Sequence, residues 1–231
     1  MEASNIDIFD TNGIEYLLII GYLFCLIFFW KFLYRPTAPA RGRLGRAEIH
    51  VSPNIQFRLA DDYLYHPGHS WAAQEEPDIF KVGIDDFAQK LLGRLDVVEL
   101  PKVGSRLEQG ENGWKLHIGS KAIAIFSPLD GEVIAVNENA IKNPLLINQD
   151  PYGYGWLVKV RVTKTNENLR NLLSGELAAA WFKDTITTLQ RNMDGDFANT
   201  FQSSKSAQLG IAKALSPDNW DSVAAKFFAS R

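Results

Sequence analysis

The 231-residue chain is poor in cysteine and methionine, with Cys25 alone for the first and Met1 and Met193 for the second. A single thiol excludes an intrachain disulfide framework and any cysteine-rich zinc site. Neither sign of charge dominates: 24 lysines and arginines face 27 acids, a net charge of −3. A dedicated nucleic-acid binder would carry a basic surplus, so no nucleic-acid partner is expected. No G-x-S-x-G elbow marks a serine hydrolase. Gly83, Gly93, Gly104 and Gly110 are dispersed over separate turns instead of forming one phosphate-cradling loop. His66, His69 and His117 have metal-ligand chemistry, but the first two share one short segment and no second cluster supports them, so no metal is expected. What remains is 46% apolar and 22% charged, the composition of one folded domain with appendages, or of two small domains.

Long uncharged apolar runs are also scarce, and the one present lies near the amino terminus. Tyr16 to Trp30 (YLLIIGYLFCLIFFW) is fifteen residues without a charge, and counting on to Tyr34 gives nineteen. As a helix that is roughly 28 Å, close to a hydrocarbon core of about 30 Å. Glu2, Asp7, Asp10 and Glu15 precede it, while Lys31, Arg35, Arg41, Arg43 and Arg46 follow it against Glu48. The positive-inside rule then puts residues 1–15 outside, makes 16–34 a single transmembrane helix, and places the remainder on the cytoplasmic side. A cleaved signal peptide would want a basic start, which is missing, and a buried core helix is seldom apolar on every face. Residues 35–58, basic and containing Pro36 and Pro39, read as a linker able to touch anionic lipid.

Beyond the linker, short alternating runs are punctuated by glycine turns: Phe80–Ile84, Leu95–Leu100, Ala122–Phe126 and Trp156–Val162. Many short strands predict a mainly β domain, a β-sandwich or barrel. Asp85–Leu92 instead has Phe87, Ala88, Leu91 and Leu92 at helical spacing with Gly93 as a stop, and Leu169–Phe182 predicts a second helix around Leu172, Leu173, Leu177 and Trp181.

These residues resemble the H protein of the glycine cleavage system, a relative of lipoyl domains. Tyr65–Trp71 (YHPGHSW) is similar to that family's opening strand. Val82–Gln89, Leu92-Gly93, Val98–Pro101 and Val103-Gly104 run in step with its VGITDYAQ, LG and VELPxVG elements. Pro128 with Gly131–Val133, then Asn143-Pro144, Asn148 and Asp150–Trp156, are similar to its hairpin and its NP, VN and DPYGxGW signatures. The resemblance spans 59–184 and implies a lipoyl/biotinyl-carrier-like flattened barrel or sandwich with short flanking helices. It further implies a non-catalytic carrier whose lipoate, in amide linkage to a hairpin lysine, moves aminomethyl groups between glycine-cleavage-type enzymes.

The attachment position is where the chain departs from the family's ESVKA-like pattern. Counted without a gap from Gly104 to Gly131, the pattern falls on His117–Lys121 and puts Ser120 at the attachment position. A slip of one residue, which Gly119 allows at the turn, makes Ser120-Lys121-Ala122 similar to VKA and leaves Lys121 as the lipoyl lysine. In either register the family's upstream glutamate is missing. Biotin fits less well, since biotin carriers flank their lysine with methionines. Two mechanisms stay open: a lipoyl arm on Lys121, or a non-lipoylated scaffold subunit of a membrane complex.

Residues 185–231 lie beyond the resemblance as a helical extension. Trp220, Val223, Ala224, Phe227 and Phe228 share one helix face, with Ser216 or Asp218 as cap. The stripe either docks on the same chain or binds a partner or membrane surface.

Overall fold

In the computed structural model, which describes residues 13–33, 47–52, 55–193 and 210–228, the uncharged run lies within helix α1 (Gly13–Leu33). The chain divides into two units, Met1–Arg41 and Gly42–Arg231. In the first, Leu18, Tyr22 and Phe24 of α1 are exposed to 70%, 67% and 71%. Among the described residues no helix is long and apolar enough to cross a membrane, so the structure does not support the span expected over 16–34. The side chains of Leu17, Phe28 and Trp30 lie outside the described residues.

The second unit begins with a correction. Part of the segment expected as a linker is paired: β1 (Ala47–Ser52) and β2 (Ile55–Leu59) form an antiparallel hairpin. Phe57 of β2 is fully buried against Phe87 and Phe182, with ring centroids 5.2 and 6.4 Å away. Phe57, near the end of an otherwise basic and proline-containing segment, is the aromatic anchor that makes this stretch part of the fold.

Two antiparallel sheets carry the rest. The larger runs in the order β3 (Leu64–Tyr65), β4 (Ser70–Gln74), β5 (Ile79–Ile84), β11 (Val158–Arg161), β10 (Gly131–Val136) and β7 (Arg106–Leu107). The smaller is β6 (Val97–Glu99), β8 (Asn112–Ile118) and β9 (Lys121–Phe126). Strand alternation sends Val82, Ile84, Val133, Val158 and Val160 from the first sheet, and Leu116, Ile123 and Ile125 from the second, into one continuous core. The fold is mainly β, as the alternation predicts. Trp71 lies flat across Gly83: a Cβ there would sit 2.5 Å from the indole, so the close approach requires glycine.

Helix α2 (Asp86–Leu92) begins where expected because the Asp85 carboxylate accepts the Ala88 N–H at 2.7 Å. Short helices α3 (Glu138–Lys142) and α4 (Leu145–Gln149) follow β10. The single helix expected over 169–182 is two, α5 (Thr165–Arg170) and α6 (Gly175–Asn192). Between them Leu173 leaves helical geometry to exchange two backbone hydrogen bonds with Tyr65, each 2.8 Å. The buried stripe of α6 is Ala178, Phe182, Ile186 and Leu189, leaving Leu177 71% exposed. The opening YHPGHSW strand is likewise a turn joining β3 to β4, with His69 at φ 63°.

The last helices, α7 (Ile211–Leu215) and α8 (Trp220–Phe228), pack within this same unit, α7 against α2 and α8 against β9. Trp220, Ala224, Phe227 and Phe228 are buried. The stripe thus docks on its own chain. Neither Ser216 nor Asp218 precedes the helix directly; the Val223 N–H bonds to the Asn219 carbonyl at 3.2 Å.

Candidate functional site on the hairpin of β8 and β9

The two long strands of the smaller sheet meet in a two-residue turn. Ile118 pairs with Lys121, His117 with Ala122 and Leu116 with Ile123, so the tip is Gly119-Ser120. Gly119 has φ 61° and Ser120 is not left-handed, the pattern of a hairpin turn with glycine first. One strap holds the tip: the Gly119 N–H donates to Asp96 at 2.7 Å. Both tip residues are exposed. Ser120, the gapless attachment position, is at the tip, and Lys121 is the first residue of β9.

Period-two alternation decides where Lys121 points. It shares a face with Ile123 and Ile125, whose side chains are buried, whereas Ala122 on the opposite face is exposed. At the hairpin's end that inward face has run past the core and meets α8 instead. Lys121 Nζ donates to the Asp221 carboxylate at 2.6 Å and to the Asp218 carbonyl at 2.8 Å, and lies 5.8 Å from the Trp220 ring centroid. The hydrogen bond and charge of Lys121 hold the Asp221 carboxyl below its ordinary range. The Lys121 side chain keeps 35% of its exposure. Asp221 was not legible as a site residue: 100 positions separate it from Lys121, and the only local signal is its place beside Trp220 on an amphipathic helix.

The three histidines are not gathered. His117, on β8, pairs with Glu99 at 3.0 Å. His66 and His69 lie in the turn between β3 and β4. His69 Nδ1 is 2.7 Å from Asp85, and its ring is stacked on Phe87 at 4.5 Å, beside Trp181 and Phe228. With 1% exposure for His69 and none for Asp85, this pair braces the fold and cannot meet a solute. His66 Nδ1 accepts the Gly68 N–H at 3.0 Å, and burial, then the neighbouring His69, push its pKa below the ordinary value. Among the described residues no group of three metal-ligating side chains is present. Of the aromatics around 152–156, Tyr152 is a core residue whose hydroxyl donates to the Arg58 carbonyl at 2.8 Å, and Tyr154 is 77% exposed. A depression of about 550 Å³ lies elsewhere, between Leu59–Tyr65 and the start of α6.

Comparison with known proteins falls on the same part of the chain. The family model described as "Glycine cleavage H-protein" matches residues 63–185. A protein called "Probable glycine cleavage system H protein 2" from Sulfurisphaera tokodaii is 42% identical over 118 residues, covering 51% of this chain and 79% of that one. The "Glycine cleavage system H protein" of Corynebacterium jeikeium is 43% identical over 112 residues, covering 47% and 88%. The crystal structure of a glycine cleavage system H protein from Mycobacterium marinum aligns at 31% identity and a TM-score of 0.47, over 53% of this chain and 97% of that one. The β1–β2 hairpin, α7 and α8 fall outside the matched range.

Proposed function

The chain belongs to the glycine cleavage H-protein family, whose members carry lipoate on a lysine, and from that premise we propose that it is a lipoyl-type carrier with Lys121 as its attachment residue. In this reading the protein is a substrate of its partners and not a catalyst.

The observation that carries the reading is the placement of Lys121. It immediately follows an exposed two-residue tip, on a hairpin whose other long strand ends at Ile118. The hairpin fits an acyl arm in three respects. The tip is exposed, the residues around it are small (Gly119, Ser120 and Ala122), and a primary amine stands one residue from the turn. One respect does not match: the amine faces α8 and is held there. Lipoate bound at such a position supplies a flexible disulfide-bearing arm for aminomethyl transfer. The protein's own residues set the geometry: Asp96 fixes the turn, and the inward register of β9 fixes the direction in which Nζ leaves the strand. Partners of this carrier are enzymes of glycine-cleavage type.

We further infer that α1 tethers the carrier to a membrane as a single span, amino terminus outside. Support comes from the fifteen uncharged residues, the 21-residue helix enclosing them and the acid-before, base-after asymmetry. A tether raises the local concentration of the domain near membrane-bound partners.

Intact-mass measurement on protein from a host supplied with lipoate tests the carrier reading. One lipoyl-sized adduct, mapped to the Lys121 peptide, is expected. An unmodified chain, in a host shown to lipoylate another protein, contradicts the reading and leaves the arm-less scaffold subunit. Resistance of the full chain to alkaline extraction from membranes, lost when residues 1–41 are removed, tests the tether.

A further inference from the structure

We propose that the carboxyl-terminal segment is an intramolecular cap on Lys121, which must release the amine before it can be acylated. This rests on the carrier reading for its purpose, but its physical content stands on the geometry of α8 alone.

Three contacts converge on one amine from one helix and the turn before it. Asp221 accepts a charge-assisted hydrogen bond, the Asp218 carbonyl accepts a second, and Trp220 lies within cation–π distance. All three hold Nζ against α8, on the side away from the exposed hairpin tip. Acylation of the Lys121 ammonium removes two protons from Nζ: one leaves to free the lone pair, and a second leaves as one N–C bond forms to an activated acyl donor such as an acyl adenylate. The bond from that acyl carbon to its leaving phosphate oxygen breaks in the same exchange. None of this is open to an amine held in its hydrogen bonds to α8 and the turn before it.

The cap is built from parts of unequal strength. Its polar contacts are exposed enough to be weak: Lys121 and Asp221 keep 35% and 37% of their side-chain exposure. Its apolar side is firmer. Phe227 packs on Phe87 at 5.3 Å, Phe228 meets His69 edge-on at 5.9 Å, and the Gly210 N–H bonds the Lys90 carbonyl at 2.8 Å. The amine can therefore leave Asp221 while α8 stays docked, but an enzyme that must surround the hairpin tip displaces the Trp220 end of α8 first. Asp221 acts here as a positioning residue for the amine.

The test uses the full chain and a small acylating probe, N-hydroxysuccinimidyl acetate, given as a brief pulse. Acetylation of Lys121 is read against Lys115, an exposed lysine on the same hairpin. In the native chain Lys121 should react about fivefold more slowly, and Asp221→Asn should bring it close to the Lys115 rate. Trp220→Ala serves as a second variant, expected to raise Lys121 reactivity while Lys159, remote from α8, stays unchanged. Equal rates for Lys121 and Lys115 in the native chain, or a ratio unmoved by both substitutions, overturn the cap. Because the probe needs no lipoylating enzyme, a missing cap and a missing lipoyl arm are separate results.

Discussion

Two turns of this domain, both reached by α8, are built on opposite principles. The turn between β3 and β4 is over-determined: His69 holds φ 63° because Asp85, Phe87 and Trp181 enclose it, and it is almost fully buried. The turn between β8 and β9 is exposed and uses glycine for its one left-handed residue, with a single strap from Asp96. The first turn uses a buried histidine–carboxylate hydrogen bond for rigidity. The second keeps its side chains small and its tip free, as a surface that another protein must grasp requires.

That contrast can be broken from its strong end. Asp85→Ala leaves His69 buried without its partner and removes the α2 cap, so a loss of about 2–4 kcal/mol is expected in denaturant unfolding. A loss below about 1 kcal/mol would mean the first turn is not braced as described. At the second turn, Gly119→Ala forces a Cβ into left-handed backbone and should cost about 1–2 kcal/mol. Ser120→Ala, at an exposed tip position with no core contact, should shift stability by no more than about 0.5 kcal/mol. A larger effect would show that the tip carries structure.

Acidification separates the two turns by pH window. His66 has a folded pKa below its ordinary 6.5, so the stability it contributes is complete above 6.5 and falls as pH drops through that value toward the folded pKa. Asp221 also has a lowered pKa. The stability from its contact with Lys121 is complete above its ordinary 3.8 and disappears as pH falls through the folded value. Thermal melts should therefore decline in two stages, with Asp221→Asn shrinking the lower one, to which Glu75, hydrogen-bonded by Lys159 and Lys81, also contributes. A lower stage of undiminished size after that substitution would contradict the assignment.

Much of the β architecture was legible because alternation and burial share one cause. The runs at Phe80, Ala122 and Trp156 read as strands, and they are strands. The β1–β2 hairpin was hidden by its neighbours' basic and proline composition, and the break at Leu173 by a long-range pairing with Tyr65. At the candidate site the hairpin could be found, with Ser120 and Lys121 left as alternatives. Which way Lys121 faces depends on strand register, and what it meets depends on a helix a hundred positions away, so neither could be read locally.

The most direct measurement is the mass of the peptide containing Lys121, from full-length protein made in a lipoate-replete host. The carrier account predicts a lipoyl-sized addition on Lys121 that disappears in Lys121→Arg. A peptide of unmodified mass, in both the native chain and Asp221→Asn and beside a lipoylated control protein from the same cells, would contradict it.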